Sequence, residues 1–168
     1  MELSLTFIIR NRSLNGHLIR IDREQSTNDQ QIQLIDNHYQ QILTNLGEDI
    51  SRQGLFKTPK RAAEAMLFLT KGYEQTIAQV VKDAIFDEEC QNMVIVKDIE
   101  IYSLCEHHLI TFFGKVSVGY LPNHKIIGLS KIARIIEIFS RRLQGSLFVH
   151  FVNEAVQPLD VGVIVECV

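Results

Sequence analysis

The stretch "VKDIEIYSLCEHHLITFFGKVSVGYLPN", residues 96–123, carries the clearest fold signal in the chain. Branched and aromatic residues alternate with polar ones on both sides of the tetrapeptide Cys-Glu-His-His. Alternation with a period of two is typical of a half-buried strand. We therefore predict one strand over residues 93–103 and a second over residues 111–123, with Cys105–His108 in the connection between them.

Helical periodicity surrounds this pair of strands. Apolar residues recur at helical spacing over residues 32–46, ahead of Gly47, and predict a first helix. A Thr58-Pro59 start signal opens a second helix in "TPKRAAEAMLFLTKG", and "TIAQVVKDAIF" predicts a short third one. The segment 130–143 predicts a strongly amphipathic helix.

The remaining segments complete an α+β fold class. "GSLFVHFVNEAV" has a weaker pattern, which we interpret as a short helix, and "VGVIVECV" predicts a last strand. Residues 1–30 are expected to form a variable or disordered N-terminal arm. Residues 31–168 are expected to form one domain, with helices over 31–90 and a sheet core over 91–168.

Composition excludes several classes of protein. A chain of 168 residues with a net charge of −3 suits one globular domain and offers no basic face for nucleic acid. Cys90, Cys105 and Cys167 have unrelated spacings, which argues for a reducing compartment rather than a disulfide scaffold. The start lacks the features of a secretory signal, and no apolar run approaches a membrane span. The expected location is the cytoplasm, without membrane or nucleic-acid partners.

The Cys-Glu-His-His motif contains ligands that zinc prefers. Cys105 and His108, three residues apart, offer a thiolate and an imidazole. A catalytic zinc takes three protein ligands and activates a water molecule. His107 points elsewhere if the segment is extended, which leaves it available for proton transfer near neutral pH. On spacing alone, a buried thiol beside two ordinary loop histidines remains an open alternative.

The segment "GLSKIARIIEIFSRR" indicates a second kind of site. Ser130 begins a helix, and the amides of a first helical turn favour anions. Lys131 and Arg134 lie three apart and can reach one polyphosphate. A solvated helix face remains the alternative here, as does a plain helix start for "TPKR", which contains Arg61.

Together these residues resemble the GTP cyclohydrolase I family. The resemblance is carried by "LGEDISRQGLFKTPKRAAEAM", by residues 96–123 and by "IIGLSKIARIIEIFSRRLQ". It covers roughly residues 33–144 and, weakly, residues 157–166. Cys-Glu-His-His in this strand context, followed by Gly-Leu-Ser-Lys-x-x-Arg, is highly specific for that family.

The resemblance implies an activity, a cofactor and an assembly. Members open the imidazole ring of GTP, release formate and form 7,8-dihydroneopterin triphosphate, the first step of tetrahydrofolate and pterin biosynthesis. It implies a tunnelling fold, an antiparallel sheet with helices packed on one face, in a homodecamer. The implied roles are zinc ligands for Cys105 and His108, acid–base catalysis for His107, and triphosphate binding for Ser130, Lys131, Arg134 and, from a neighbouring subunit, Arg61.

Two departures from the family pattern concern the end of the chain. Ser146 and Leu147 occupy the positions of a Gln and of the Glu that anchors guanine in the family. The family's third zinc ligand lies in an H-x-C motif, whereas this sequence reads "VECV", with Cys167 four residues too early. We therefore expect two zinc ligands of three and a missing last strand.

Three functional hypotheses follow from the sequence. The first is GTP cyclohydrolase I activity in zinc-dependent oligomers. The second is a shortened, catalytically impaired homologue that co-assembles with a full-length partner. The third, a small zinc-binding module without catalysis, would need a third ligand from Cys90, Cys167 or His124, and no spacing supports one.

Overall fold

The computed structural model describes residues 3–9, 28–82, 84–90, 92–144 and 160–167. The chain divides into two compact units, one formed by Gly16–Phe68 and the other by the rest. The architecture is α+β. In chain order the elements are β1 (Leu3–Ile9), α1 (Asn28–Asn45), α2 (Thr58–Thr70), a 3-10 helix (Lys71–Glu74), α3 (Ile77–Val81), β2 (Ile85–Asp87), β3 (Val94–Cys105), β4 (Thr111–Leu121), β5 (Lys125–Ile127), α4 (Leu129–Ser140), β6 (Leu143–Gln144) and β7 (Asp160–Cys167).

The larger unit is built on a five-stranded sheet with the order β1-β7-β4-β3-β6. The pairs β3–β4, β4–β7 and β1–β7 are antiparallel, whereas the short strand β6 runs parallel to β3. Strands β2 and β5 form a separate two-stranded sheet. The β3–β4 pair extends from Val94 opposite Tyr120 to Leu104 opposite Thr111, and is the longest ladder in the described part of the chain.

A β-bulge in β3 shifts which of its residues face the core. The register shifts between Val96 and Ile99, so that two residues of β3 stand opposite Ser117 alone. Asp98 lies in the bulge with φ at 58°, and its N–H donates to Ser117 Oγ at 3.3 Å. Residues three apart face opposite sides of a regular strand, but the extra residue brings both Val96 and Ile99 against the core.

Helix α4 supplies the apolar cover of the sheet. Its residues at core spacing are at most 5% exposed, and they pack against the buried face of β3, β4 and β7. The buried residues of α4 form one apolar stripe along the helix, as expected for an amphipathic helix. Its main members, with their sheet partners, are Ile132, Ile135, Ile136, Phe139, Ile101, Val116, Val118, Tyr120 and Val163.

The predicted strands and the main helices are confirmed, with boundaries that differ by a few residues and larger changes in two helices. The third helix ends at Val81 because Lys82 adopts φ of 45°, and residues 85–87 pair with β5 instead. Helix α4 ends at Ser140, since the chain then turns to pair Leu143–Gln144 with β3. The short helix predicted in "GSLFVHFVNEAV" lies outside the described residues.

Strand β1 was not predicted. The sequence indicated no element within residues 1–30, yet residues 3–9 pair with β7 over seven positions. A seven-residue apolar segment gives little signal by itself, because its partner lies at the other end of the chain. The rest of the predicted arm up to residue 27 lies outside the described residues.

The unit Gly16–Phe68 is described by its helices and their connection. Gly47, with φ at 83°, ends α1, as the sequence predicted. Arg52 and Glu48 form an exposed ion pair at 3.0 Å, and hydrogen bonds from Ser51 lower the pKa of Asp49. No helix in the described parts of either unit is long and apolar enough to cross a membrane.

The 3-10 helix packs against the end of α4 so closely that Gly72 tolerates no side chain. A Cβ there would lie 1.8 Å from Ile138 O and 2.8 Å from Arg141 O. Gly72→Ala should therefore lower the free energy of unfolding by about 2–3 kcal/mol. Gly162→Ala is the matched control, because a Cβ at Gly162 meets no atom within 4 Å. Urea unfolding of both variants measures the difference, and equal midpoints would contradict the packing.

Candidate active site

The connection between β3 and β4 is a tight turn that carries the Cys-Glu-His-His motif. The Cys105 N–H donates to Ile110 O at 3.0 Å, and the Leu109 N–H donates to Cys105 O at 2.9 Å. Leu109 adopts φ of 55°, in the left-handed region that lets the chain reverse. The two strands thus hold residues 106–108 at the end of the sheet.

The turn gathers one thiol and two imidazoles. Cys105 Sγ lies 3.7 Å from His108 Nδ1 and 3.9 Å from His107 Nδ1, and the two rings meet edge to face. The expectation that His107 points away rested on an extended segment and is wrong in this respect, because residues 106–108 form a turn. Both imidazoles therefore face the same sulfur atom.

The turn also changes the acidity of the thiol. The hydrogen bond with His108 is the largest cause that lowers the pKa of Cys105 to about 7, and backbone hydrogen bonds at His108 and His107 act in the same direction. A thiol with this pKa is substantially thiolate at neutral pH, and thiolate is the form that binds metals.

The geometry of Cys105 and His108 fits two ligands of one zinc ion. Tetrahedral zinc with a sulfur ligand at ~2.3 Å and a nitrogen ligand at ~2.0 Å separates the two ligand atoms by about 3.5 Å. The observed separation is 3.7 Å. Soft sulfur with imidazole nitrogen is also the ligand chemistry that zinc prefers.

The described residues supply no third metal ligand beside this pair. No group of three or more His, Cys, Asp or Glu side chains in that part of the chain is arranged to hold a metal ion. Cys167 stands opposite Gly114, which stands opposite Ile101. Cys105 lies four residues beyond Ile101, or about 13 Å along the strand. The backbone positions of the two cysteines are thus too far apart for one zinc ion.

The segment predicted to bind phosphate forms the start of α4. Ser130 and Arg134 are exposed there, after Gly128 at the N-cap. Lys131 is partly buried, and its Nζ donates a hydrogen bond to Val80 O at 2.9 Å. In the described part of the chain, no hydrogen bond joins this helix start to the Cys105 turn.

Arg61 belongs to the other unit and is exposed on α2. It lines an open pocket of about 280 Å³. The pocket also contains a second cation, Lys57. Ser146 and Leu147, which the family resemblance aligns with guanine-binding positions, lie outside the described residues.

Comparison with known proteins identifies the family. The model of the family described as GTP cyclohydrolase I matches residues 35–168. The chain belongs to the GTP cyclohydrolase I family. Relatives named GTP cyclohydrolase 1 include those of Rattus norvegicus, 57% identical over 133 residues, Homo sapiens, 53% over 152, and Drosophila melanogaster, 51% over 155.

These relatives are longer than the chain. The matches cover 76%, 86% and 89% of this chain but only 55%, 61% and 48% of the rat, human and fly proteins, respectively. The chain thus spans about half to three fifths of the length of these GTP cyclohydrolase I relatives.

Sequence reasoning missed the polar residues that hold the family motif in place. Gln144 O accepts the N–H of Glu106 at 3.2 Å, and the Gln144 side chain donates to Phe139 O. Ser103 is buried and donates to Ser140 O at 2.5 Å. These bonds attach the turn and β3 to the end of α4. In the sequence, the only sign of these bonds is that a serine and a glutamine occupy positions expected to be buried. An alternation with a period of two does not reveal which groups such polar side chains bond.

The lowered pKa of Cys105 predicts a pH profile for the metal-free chain. In the presence of a chelator, the alkylation rate of Cys105 should reach half its maximum near pH 7. His108→Ala should move this midpoint upward, toward the value of about 8.5 of an ordinary thiol. Mass spectrometry of the Cys105 peptide after iodoacetamide treatment measures the profile.

His124→Ala serves as the control, because His124 lies in the exposed turn before β5. That variant should keep the midpoint of the unsubstituted chain. A midpoint unchanged in His108→Ala would contradict the role of the His108 hydrogen bond.

Proposed function

We propose that this chain acts as a GTP cyclohydrolase I, which opens the imidazole ring of GTP and forms 7,8-dihydroneopterin triphosphate and formate. The observation that carries the proposal is the 3.7 Å approach of Cys105 Sγ to His108 Nδ1 at the end of the β3–β4 hairpin. The family membership gives this pair its functional meaning. The proposal includes a tunnelling fold, a cytoplasmic location and a homo-oligomer, a decamer as the family resemblance implies.

Cys105 and His108 would hold Zn²⁺. The cofactor fits the thiolate–imidazole pair by chemistry and by separation. When bound, Zn²⁺ supplies Lewis acidity that makes water a nucleophile near neutral pH. The two residues of this chain contribute a ligand pair that is held by the backbone bonds of a turn, so little ordering is needed when the metal binds.

His107 would transfer protons during ring opening. Its ring is largely exposed, and its Nε2 lies 3.6 Å from Glu106 Oε1. An imidazole can take a proton from attacking water and deliver one to the ring nitrogen that leaves C8. The neighbouring carboxylate can exchange that proton with solvent through a single intervening water.

Ser130, Lys131 and Arg134 would bind the triphosphate of GTP at the start of α4. Leu129 and Ser130 are exposed in the first turn of α4, and the backbone amides of a first helical turn favour anions. Lys131 would leave Val80 O to reach a phosphate, which costs one hydrogen bond but gains a charge-assisted one. Arg61 of a neighbouring subunit would complete the anion site.

A second candidate function concerns a metal site that the described residues of one chain do not complete. Within the described residues, one chain offers zinc two ligands, and Cys167 is too distant to be the third. The chain would then be a catalytically impaired member that co-assembles with a full-length family member. In that assembly a different chain would complete the metal site.

Two substitutions separate metal binding from catalysis. Cys105→Ser should remove both zinc and GTP turnover, because it replaces a thiolate ligand with a hydroxyl group. His107→Ala should retain zinc and reduce turnover by about 10²–10⁴-fold, the range typical of a positioned acid–base group. Zinc per chain is measured by atomic absorption, and turnover by the fluorescence of the oxidised pterin.

His124→Ala is the control for both measurements and should match the unsubstituted chain. Full turnover in Cys105→Ser or in His107→Ala would reject the assigned roles. If the folded, zinc-supplied chain forms no pterin, the co-assembly candidate replaces the first. Pterin formation that appears only after mixing with a full-length relative would then support it.

Arg134→Ala tests the triphosphate site. The substitution removes a cation from the exposed face of α4 without disturbing the buried stripe. The KM for GTP should rise by roughly ten-fold or more, in line with the loss of about 1.5–3 kcal/mol for a hydrogen bond to a charged group. Glu137→Ala, on the same exposed face, should leave the KM within about two-fold, and an equal rise in both variants would contradict a specific role.

A further inference from the structure

Strand β6 is short, yet it meets the turn that carries the Cys-Glu-His-His motif. Its two residues pair with Leu104 and Cys105 in parallel register. Gln144 O then accepts the N–H of Glu106, the next residue of the turn, at 3.2 Å. Parallel pairing is slightly weaker per residue than antiparallel pairing, so a ladder this short needs further support to stay in place.

The 3-10 helix supplies such support through Tyr73. The Tyr73 hydroxyl group accepts the N–H of Leu143 at 3.1 Å. A side chain far from β6 in sequence thus satisfies a backbone group of this strand. Because the bond is partly buried, removal of the acceptor would leave an N–H group with poor access to water, which is costly.

Arg142 attaches the 3-10 helix and β6 to each other. Its guanidinium group donates to Gly72 O at 2.9 Å and to Gln75 O at 3.3 Å. The guanidinium carbon lies 4.4 Å from the ring centroid of Phe139 and 5.6 Å from that of Tyr73. The contact between a cation and a ring face depends on the ring and not on the hydroxyl group of Tyr73.

A continuous series of contacts therefore runs from Tyr73 to the proposed zinc ligands. The Tyr73 hydroxyl group bonds Leu143, and the next residue of β6 bonds Glu106. Glu106 directly follows Cys105 and precedes the two histidines. Every member of the series lies in the unit that contains the five-stranded sheet. The hydroxyl group thus acts on the turn through β6.

We propose that Tyr73 is a positioning residue for the reaction, and that its hydroxyl group holds β6 where Gln144 O keeps the Cys105 turn closed. The inference rests on the proposed function, since it concerns the same ligand pair and His107. Without the hydroxyl group the turn opens more often, and Cys105 and His108 spend less time side by side. Groups that orient metal ligands from outside typically change metal affinity or activity by about 10–100-fold when they are removed.

Tyr73→Phe tests the proposal, because it removes the hydroxyl group and retains the ring beside Arg142. Hydrogen exchange of the backbone amides of residues 105–109, measured by mass spectrometry in the presence of a chelator, reports how often the turn opens. The variant should exchange these amides about ten-fold faster than the unsubstituted chain, because one partly buried hydrogen bond is lost. Amides in the middle of α4 should keep their rates. Equal acceleration there would indicate a loss of overall stability and would contradict the proposal.

Tyr102→Phe is the matched control. Tyr102 lies in β3, closer to Cys105 in sequence than Tyr73 is, and its hydroxyl group lies 3.5 Å from Glu100 Oε2 on the exposed face. The control therefore removes the same atom from a position where it does not bond β6. This variant should keep the exchange rates of the unsubstituted chain at residues 105–109. Equal rates in the two variants would overturn the proposal.

Turnover of GTP supplies a second readout. Tyr73→Phe should lower kcat by about ten-fold and leave the KM for GTP within about two-fold, because the proposed triphosphate site at the start of α4 is not altered. An unchanged kcat in a variant whose turn opens more often would reject the positioning role. If the unsubstituted chain forms no pterin, the proposed function fails, whereas the exchange rates still decide whether Tyr73 holds the turn.

Discussion

The antiparallel pairing of β3 with β4 is the constraint on which the rest of the larger unit depends. Its ladder runs from Val94 opposite Tyr120 to Leu104 opposite Thr111, and it assigns one face of both strands to the core. Because the ladder ends at Leu104, the chain must reverse within the next few residues. Cys105 and the histidines that follow are therefore held in the turn by the same backbone bonds that make the sheet.

Helix α4 links the two parts of the proposed site. Its exposed start carries Ser130 and Arg134, and its end is attached to the sheet through buried hydrogen bonds from Ser103 and Gln144. Buried polar networks of this kind stabilise one arrangement when they are satisfied and are costly when they are broken. The start of the helix and the Cys105 turn are thus both attached to the apolar core that α4 forms with the sheet.

The position of β7 limits what one chain can offer to a metal ion. Its pairing with β4 brings Cys167 level with Gly114, well short of the end of β3 where Cys105 lies. The side chains of Cys105 and His108 lie close together in the turn, and no third His, Cys, Asp or Glu among the described residues joins them in an arrangement that could hold a metal ion. A metal site built on Cys105 and His108, as proposed, would consequently depend on residues outside the described ones or on a second chain.

The sequence by itself predicted the local elements and brought together the residue types of the proposed site. Period-two alternation predicted β3, β4 and β7, and helical periodicity predicted α1, α2 and α4, because these patterns depend only on neighbouring residues. The Cys-Glu-His-His motif likewise indicated a zinc site from its residue types and its place after a strand. The family assignment rested on the same motifs and was confirmed.

Tertiary structure alone decided the features that depend on distant residues. The pairing of Leu3–Ile9 with β7, the bulge at Asp98 and the bonds from Ser103 and Gln144 each depend on a partner that local periodicity does not reveal. The orientation of His107 also required the structure, because a turn and an extended segment direct neighbouring side chains differently. Local patterns predict which face a residue prefers, but which strand or carbonyl it meets depends on how the whole chain packs.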